Sequence, residues 1–304
     1  MGSISTLTKA FARSVALRLS LKLRLSKMTG TSRVKMDLGH LLVTLTLFST
    51  GLQAAAASEW GYEGRNGPSN WPGICATGKK QSPIDIVTKN VIKSDSAALN
   101  FNRYNLAFPA TLDNNGHSVQ IILHGIPVYL SSGNLQSEYV LEQMHFHWSA
   151  EHTVDGLRDA LELHLVHYDK QYANISVAMQ HENGIAVVAV LFKLDRYDNP
   201  HLKPIMRATK KVLYKVGKST AIKEELTPLS FLPKNRKTYY HYQGSLTTPG
   251  CQESVMWFVL TEKLTVSKAQ VNVFKRLRGD NGKLSFNYRP VQELNDRKVY
   301  HNLE

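Results

Sequence analysis

Short apolar runs separated by turn residues cover most of the chain after residue 58. Their β-branched content and their lengths of five to ten residues are typical of strands. The clearest runs occupy residues 119–123, 139–148, 161–168, 185–192 and 255–260. The run at 185–192 is almost wholly apolar, which predicts a central strand that is buried on both faces.

Helical periodicity is sparse, and residues 204–216 and 267–277 are the best candidates. Nothing repeats between residues 59 and 304, and no Ser-, Gly- or Pro-rich linker divides them. Many strands with few helices favour one domain of the mainly β class over 59–304. We expect a single large, mostly antiparallel, twisted central sheet with peripheral helices.

The first 58 residues have the composition of a targeting segment. Residues 1–35 are rich in Ser, Arg and Lys without any acid, residues 38–48 are mainly apolar, and residues 54–58 are small. This order is typical of a secretory signal peptide, with cleavage near Ala57 or Ser58. The apolar part is shorter than the roughly 20 residues that span a bilayer. We therefore expect a secreted, extracellular protein.

Alternatives remain open for the basic part of this segment. Met36 can be the physiological start, or residues 1–35 can act as an organellar presequence. The first six residues also fit the loose myristoylation pattern, which occurs often by chance. The chain ends at Glu304 without an apolar tail, so we expect no membrane anchor. Asn174 begins an N-glycosylation acceptor triplet, which is consistent with secretion.

Charge and cysteine usage exclude several classes of protein. The net charge is +13, of which the first 58 residues contribute +7, and the remaining +6 is spread over residues 59–304 without runs. Such a mixed surface is a poor footprint for DNA, so we expect no nucleic-acid partner. The two cysteines, Cys75 and Cys251, are too far apart for a paired-cysteine metal knuckle.

Five of the twelve histidines fall between residues 145 and 167. Side chains two apart on a strand share a face, so His145 and His147 point the same way, as does Gln143. On the next predicted strand His164 shares a face with Glu162 and with Val166. The 13 residues between His147 and Leu161 are enough to bring the second strand back beside the first. Three imidazoles then converge on one side of a sheet.

Three neutral nitrogen ligands with an open fourth position describe a catalytic zinc site, and no fourth Cys or His ligand lies nearby. The alternative is a set of ordinary core and surface histidines. Metal-bound histidines need their second ring nitrogen held by an acceptor. Gln143 and Glu162 each precede a candidate ligand by two residues on its own face, which favours Zn²⁺. His152 is expected to be a hydrogen-bonded core histidine.

A zinc-bound hydroxide needs a hydrogen-bond acceptor and a buried carboxylate that orients this acceptor. Candidates are the threonines in 245–249 and Glu151. The sequence alone does not bring them together, and a turn residue and a surface acid are the plain alternatives.

Nine segments occur in an order that closely resembles the α-class carbonic anhydrases of the secreted type, over residues 60–289. The segments are 60–64, 66–68, 81–85, 114–117, 145–148, 149–156, 162–167, 244–249 and 287–290. The resemblance implies that residues 59–304 form a catalytic domain that reversibly hydrates CO₂ to bicarbonate by attack of zinc-bound hydroxide. It also implies inhibition by sulfonamides. The oligomeric state stays open.

The resemblance assigns zinc binding to His145, His147 and His164. It implies that Thr247 accepts the proton of the hydroxide and passes its own proton toward Glu151, while the backbone N–H of Thr247 holds a bicarbonate oxygen. Thr248 is expected to line the same wall. The implied CO₂ pocket consists of Val166, Val187, Leu246, Val255 and Trp257.

The resemblance also assigns the proton shuttle to His117, because an imidazole titrates near neutral pH. A solvated turn histidine is the alternative. Residues that match positions ordering the family's water chain are Tyr62, Asn115 and, more weakly, Gln120.

Cys75 and Cys251 match the positions of a disulfide in secreted members, the alternative being two free buried thiols. Gly250 departs from the family, which usually has a second proline there, and this puts the rigidity of the loop in question. A non-catalytic carbonic-anhydrase-like binding or matrix protein is the alternative function. Inactive relatives typically lose a ligand histidine, whereas all three are present here.

Overall fold

The structure is a computed structural model that describes residues 60–303. The predicted signal peptide, its cleavage site and the alternative start at Met36 lie outside these residues. Within the described range the strands are β1 Asp85–Ile86, β2 Ile92–Ser94, β3 Leu99–Asn102, β4 Ala110–Asn114, β5 Val119–Leu123, β6 Tyr129–Ser132, β7 Tyr139–His147, β8 Thr153–Val154, β9 Leu157–Arg158, β10 Leu161–Asp169, β11 Ile185–Asp195, β12 Lys218–Ala221, β13 Tyr239–Gly244, β14 Val255–Leu260, β15 Leu264–Ser267, β16 Arg278–Gly279, β17 Gly282–Lys283 and β18 Tyr300–Asn302.

The helices of the described range are short and few. The α-helices are α1 Ile74–Thr77, α2 Ile175–Ala178, α3 Lys203–Val212 and α4 Lys268–Phe274. Single 3₁₀ turns occupy Gly64–Asn66, Pro68–Asn70, Thr88–Asn90, Pro200–Leu202 and Pro228–Phe231. None of these helices combines the length and apolar character needed to cross a bilayer.

Thirteen strands of the described range form one mixed sheet. Its main order is β12-β4-β5-β7-β10-β11-β14-β13-β18-β2, with β15 beside β11 and the β3–β6 pair beside β7. Three of its pairs, β11–β14, β11–β15 and β18–β2, are parallel and the other nine are antiparallel. The predicted mainly β class with one large, mostly antiparallel sheet is confirmed.

All five predicted apolar runs are strands, namely β5, β7, β10, β11 and β14. β11 extends beyond the predicted end at residue 192 because its last residues pair with β15, where Asp195 lies opposite Ser267. Those residues are exposed, so no apolar pattern marks them.

The centre of the sheet is buried on both faces, as the apolar run predicted. Alternate residues of β11 enter two separate apolar clusters: Val188 and Val190 belong to the larger one, and Val187 and Ala189 to the smaller. The same alternation on β7 sends Phe146 into the larger cluster. The face of the smaller cluster is therefore the one that carries the histidines.

The two predicted helices are α3 and α4. α3 ends at Val212 rather than at residue 216, because residues 213–217 form turns in which Gly217 has a positive φ of 69°. α4 begins with a capping box: Ser267 Oγ accepts the N–H of Gln270 at 3.1 Å, and the Gln270 side chain accepts the N–H of Ser267 at 3.3 Å.

Cys75 and Cys251 form a disulfide, so that implied pairing is confirmed. Arg289, which is buried, reinforces the same region. Its guanidinium donates to the carbonyl oxygens of Cys75 and Ser82 at 2.8 and 2.9 Å and to Gln81 Oε1 at 2.8 Å. The disulfide and this guanidinium tie α1 to the loop before β14 and to the C-terminal segment.

Candidate metal centre

Three histidines converge where β7 and β10 lie side by side. His145 pairs directly with His164 across the two strands, and His147 lies two residues further along β7. The ring centroids are 4.5–5.0 Å apart. One nitrogen of each ring lies within 4.8 Å of the other two. The alternation expected from the sequence therefore places all three imidazoles at one spot.

Two of these rings are held by the acceptors that the sequence indicated. Gln143 Oε1 lies 2.9 Å from Nδ1 of His145, and Glu162 Oε1 lies 2.7 Å from Nε2 of His164. An acceptor keeps the proton on the nitrogen that faces it, so Nε2 of His145 and Nδ1 of His164 carry lone pairs. These two nitrogens face each other at 3.3 Å.

His147 is held by a residue that sequence reasoning did not assign. The carbonyl oxygen of Asn287 lies 2.6 Å from Nδ1 of His147, which leaves Nε2 with the lone pair. This Nε2 is buried and has no hydrogen-bond partner among the described residues. A divalent cation bound by all three lone pairs would satisfy this nitrogen and relieve the close contact between the other two.

The donor set fits zinc. Burial lowers the pKa of His147 to about 4, and it also lowers the pKa of His164 and takes that of His145 well below its ordinary value. The rings are therefore neutral at neutral pH, which is the form that binds a metal. Within the described range no further His, Cys, Asp or Glu atom joins this group. Three neutral imidazoles without a fourth such side chain match catalytic rather than structural zinc sites.

The Glu162 carboxylate connects the centre to a buried hydrogen-bond network. It accepts from both His164 and His152 at 2.7 Å and from the backbone N–H of Glu151 at 2.7 Å. Burial alone would raise its pKa, yet the neighbouring imidazoles hold that pKa well below the usual range. Nε2 of His152 lies 2.7 Å from the Tyr242 hydroxyl. Both nitrogens of His152 are therefore used in hydrogen bonds, as expected for a core histidine. The group formed by His152, Glu162 and Tyr242 is a structural network.

Glu151 is buried beside the three imidazoles, so the interpretation as a surface acid is wrong. Its Oε1 accepts the backbone N–H of Arg289 at 2.8 Å, and its Oε2 lies 3.6 Å from Nε2 of His147. Burial raises the pKa of this carboxyl to about 7, although His164, the Arg289 N–H and the Thr247 side chain all act to lower it. The influence of the Thr247 side chain on this pKa places the two residues near each other, which the sequence alone does not establish. Glu151 Oε2 is buried and accepts no hydrogen bond among the described residues.

The loop after β13, which carries Thr247 and Thr248, is closed by backbone hydrogen bonds. The N–H of Cys251 donates to the Thr248 carbonyl at 3.0 Å, and that of Leu246 donates to the Gln252 carbonyl at 3.0 Å. Gly250 has a φ of 102°, which proline cannot adopt because its ring holds φ near −65°. The loop therefore has a backbone shape that requires glycine at this position, and the disulfide at Cys251 restrains its end.

An apolar wall adjoins the centre. All five predicted wall residues belong to the smaller cluster or pack against it: Val166, Val187, Leu246, Val255 and Trp257. Val166 lies opposite Val187, and Val187 lies opposite Trp257, so the three form a row across β10, β11 and β14. The Trp257 ring meets the His164 ring edge-on at 4.9 Å. The row therefore ends directly against the ligand set.

His117 lies in the turn between β4 and β5, with its ring stacked on Trp60 at a centroid distance of 3.6 Å. The residues expected to order water lie nearby. Asn115 Oδ1 accepts the backbone N–H of His117 at 3.0 Å, and Asn115 Nδ2 donates to Gln120 Oε1 at 3.4 Å. Gln120 pairs with His145 across β5 and β7. A line of polar side chains thus runs from the turn to the first candidate ligand.

Tyr62, the third residue expected in the water chain, is buried against Trp60 and Trp71. Burial and the charge of Glu151 raise the pKa of its phenol well above the ordinary value. The phenol therefore stays protonated, as a hydrogen-bond donor requires.

Asn287 is the main residue whose role the sequence did not reveal. Besides holding His147, it accepts the N–H of Trp148 on Oδ1 at 2.8 Å and donates from Nδ2 to the carbonyls of His117 and Phe146 at 3.1 and 2.9 Å. It therefore links the turn that carries His117 to the three histidines. The segment 287–290 stands out in the sequence, but no local pattern shows which distant groups it contacts.

Comparison with known proteins places this geometry in a family. The profile described as eukaryotic-type carbonic anhydrase matches residues 66–303. Mouse carbonic anhydrase 6 is 38% identical over 278 residues, which cover 85% of this chain and 85% of the relative. Human carbonic anhydrase 6 is 34% identical over 282 residues, covering 86% and 89%. Pig carbonic anhydrase 3 is 34% identical over 259 residues, covering 80% of this chain and 98% of the relative.

Proposed function

Because the chain belongs to the eukaryotic-type carbonic anhydrases, enzymes that interconvert CO₂ and bicarbonate, we propose that it performs this reaction with Zn²⁺ held by His145, His147 and His164. One observation carries the proposal. Each of the three rings has one nitrogen held by an acceptor, and the remaining nitrogens converge within 4.8 Å. Zinc in such a site supplies a nucleophile at neutral pH, because it lowers the pKa of a coordinated water from 15.7 to about 7.

Thr247 and Glu151 orient the nucleophile. A threonine hydroxyl donates one hydrogen bond and can accept another on its oxygen. Thr247 would therefore donate its O–H to the nearby Glu151 carboxylate and accept a hydrogen bond from the attacking nucleophile. The Arg289 N–H fixes Glu151 Oε1 at 2.8 Å and thereby sets the direction in which the carboxylate points. The backbone N–H of Thr247 holds a product oxygen, and Thr248 lines the same wall.

The apolar wall binds CO₂. Carbon dioxide has no net charge or dipole, so it gains from contact with the row formed by Val166, Val187 and Trp257 and not from polar groups. Leu246 and Val255 complete this surface. Because the row ends against His164, the substrate is held beside the metal ligands.

His117 carries the released proton from the centre to the solvent. Its ring is half-buried in the turn between β4 and β5, where burial lowers its pKa and the Asp280 charge opposes that shift. An imidazole can both accept and release a proton. Tyr62, Asn115 and Gln120 order the water molecules along which the proton moves from the centre to this ring.

We further propose that the enzyme is secreted, that the chain is cleaved near residue 58, and that Asn174 is glycosylated. The disulfide supports this route, because disulfides persist in oxidising compartments. Asn174 is exposed at the start of α2, where a glycan can be accommodated.

The test uses the full chain expressed in eukaryotic cells. We expect the culture medium to contain protein that starts near residue 58, binds one zinc per chain and hydrates CO₂ in a sulfonamide-sensitive manner. Zinc-loaded protein without CO₂ hydration would instead support a non-catalytic binding protein. Protein that is retained in cells with residues 1–58 attached would contradict secretion alone.

A further inference from the structure

A hairpin far along the chain packs against the turn that carries His117. β16 and β17 form this hairpin, with Asp280 and Asn281 at its tip. The N–H of Asp280 donates to the Gly116 carbonyl at 3.2 Å, and Nδ2 of Asn281 donates to the Trp60 carbonyl at 3.1 Å. The hairpin tip therefore contacts both the turn and the aromatic ring on which His117 rests.

At two positions the hairpin and the turn pack so closely that only glycine fits. A Cβ on Gly116 would lie 2.4 Å from an oxygen of Asp280, and Gly116 also has a φ of 89°. A Cβ on Gly279 would lie 2.3 Å from the Gly116 carbonyl oxygen. Two glycines thus allow the Asp280 carboxylate to reach the neighbouring imidazole.

The His117 ring is held from two sides. Its Nε2 lies 3.2 Å from Oδ2 of Asp280, and its face stacks on Trp60 with an interplanar angle of 15°. The His117 side chain is 18% exposed and that of Asp280 is 39% exposed, so the contact lies at the boundary with solvent. The carboxylate lies at ion-pair distance from Nε2, so in the proposal Nε2 carries the proton of the neutral ring and Nδ1 is the nitrogen that receives a second one.

We propose that Asp280 is a positioning residue for proton transfer, which holds the His117 ring against Trp60 and stabilises the ring when it is protonated. This rests on the proposed role of His117 as the shuttle. The ring gains one proton at Nδ1 while Nε2–H stays beside the Asp280 carboxylate. It returns to the neutral form when a buffer base removes a proton, and the carboxylate remains ionised throughout.

The electrostatics of the rim agree with this role. Burial lowers the pKa of His117, and the Asp280 charge opposes that shift. His117 and Asp280 line a small surface cavity. The other charged side chains that line it are Glu63 and Lys283, which are exposed and of opposite sign. Removal of the Asp280 charge should therefore lower the pKa of His117 further. A weaker acceptor at the rim slows the transfer of the proton to it.

The test compares D280N and D280E with the unchanged zinc-loaded enzyme. D95N is the matched control, because Asp95 is an exposed acid near β2, at the opposite end of the sheet from β4. We expect D280N to lower the His117 pKa measured by NMR and to reduce kcat in weak buffer about two- to fivefold, as suits a partly exposed ion pair. The kcat/KM for CO₂ should not change, since hydration precedes proton transfer. D280E should restore much of the loss, and D95N should leave every quantity unchanged.

The outcomes separate the two proposals. An unchanged His117 pKa and kcat in D280N, while H117A impairs turnover, would overturn the role of Asp280 and leave the shuttle intact. Unchanged turnover in H117A would overturn both the shuttle and the positioning role built on it. A fall of kcat in D280N without a change in the His117 pKa would indicate a structural effect of the hairpin and would also contradict the proposal.

Discussion

The imidazole centre and the rim around His117 are built by different physical means. At the centre, antiparallel pairing sets His145 opposite His164, and burial within a continuous sheet fixes the register. At the rim, two turns meet, and the contact between His117 and Asp280 lies at the solvent boundary. Under the proposed function, strand register sets the geometry of the metal ligands, whereas loop contacts set the route of the proton. Changes at the centre should have much larger effects than changes at the rim.

Loss of one ligand gives the largest expected effect. In H147A the zinc content should fall close to zero. CO₂ hydration should drop by about a thousandfold or more, because without zinc no water has a lowered pKa. Metal analysis and stopped-flow assays measure both quantities. H124A is the control, since His124 is exposed and is not a member of the ligand group. Full zinc occupancy in H147A would exclude it as a ligand.

Loss of the Thr247 hydroxyl gives the second-largest expected effect. T247V keeps the side-chain volume but removes the oxygen beside Glu151, so kcat/KM should fall about a hundredfold, in the range for lost hydrogen bonds in a transition state. The zinc content should stay normal. T265V, on the peripheral strand β15, serves as the control. An active T247V enzyme would refute the assigned role of the hydroxyl.

Substitution of Glu162, the acceptor that holds the ligand His164, should have a smaller effect. We expect this effect on zinc affinity. The Glu162 carboxylate accepts four hydrogen bonds, one of them from the ligand His164. E162Q removes its negative charge, so the Kd for zinc should rise about 10- to 100-fold. E142Q is matched to it, because Glu142 is an exposed residue on β7. Competition with a chelator gives both values, and equal Kd values would show that Glu162 does not support the metal.

Among these variants, the rim substitution has the smallest expected effect. H117A should reduce kcat in weak buffer about tenfold, which is modest for an acid–base group because solvent reaches the rim. Added imidazole should restore turnover, and kcat/KM should not change. The same assay on H124A gives the baseline, and a loss that imidazole does not rescue would argue for a structural defect.

The same contrast explains how much could be predicted from the sequence. The period of two along β7 and β10 is local, so it predicted the common face of the three histidines and of Gln143 and Glu162. The end of β11 was missed because its exposed residues carry no apolar pattern. The contact of His147 with Asn287 spans 140 positions along the chain, and no local periodicity records it.

Features that rest on recognition of the family could not be derived from the pattern alone. The disulfide between Cys75 and Cys251 and the nearness of Thr247 to Glu151 are long-range consequences of the whole sheet. The contact of Asp280 with His117 depends on the shape of a short hairpin and on two glycines.

A crystal structure of the protein purified from eukaryotic cells, with anomalous data collected at the zinc edge, tests the central claim most directly. One zinc peak should lie about 2.0–2.1 Å from Nε2 of His145, Nε2 of His147 and Nδ1 of His164, with a solvent molecule as the fourth ligand. A peak within the His152–Glu162 network, or a zinc ion closed off by a fourth protein side chain, would contradict it.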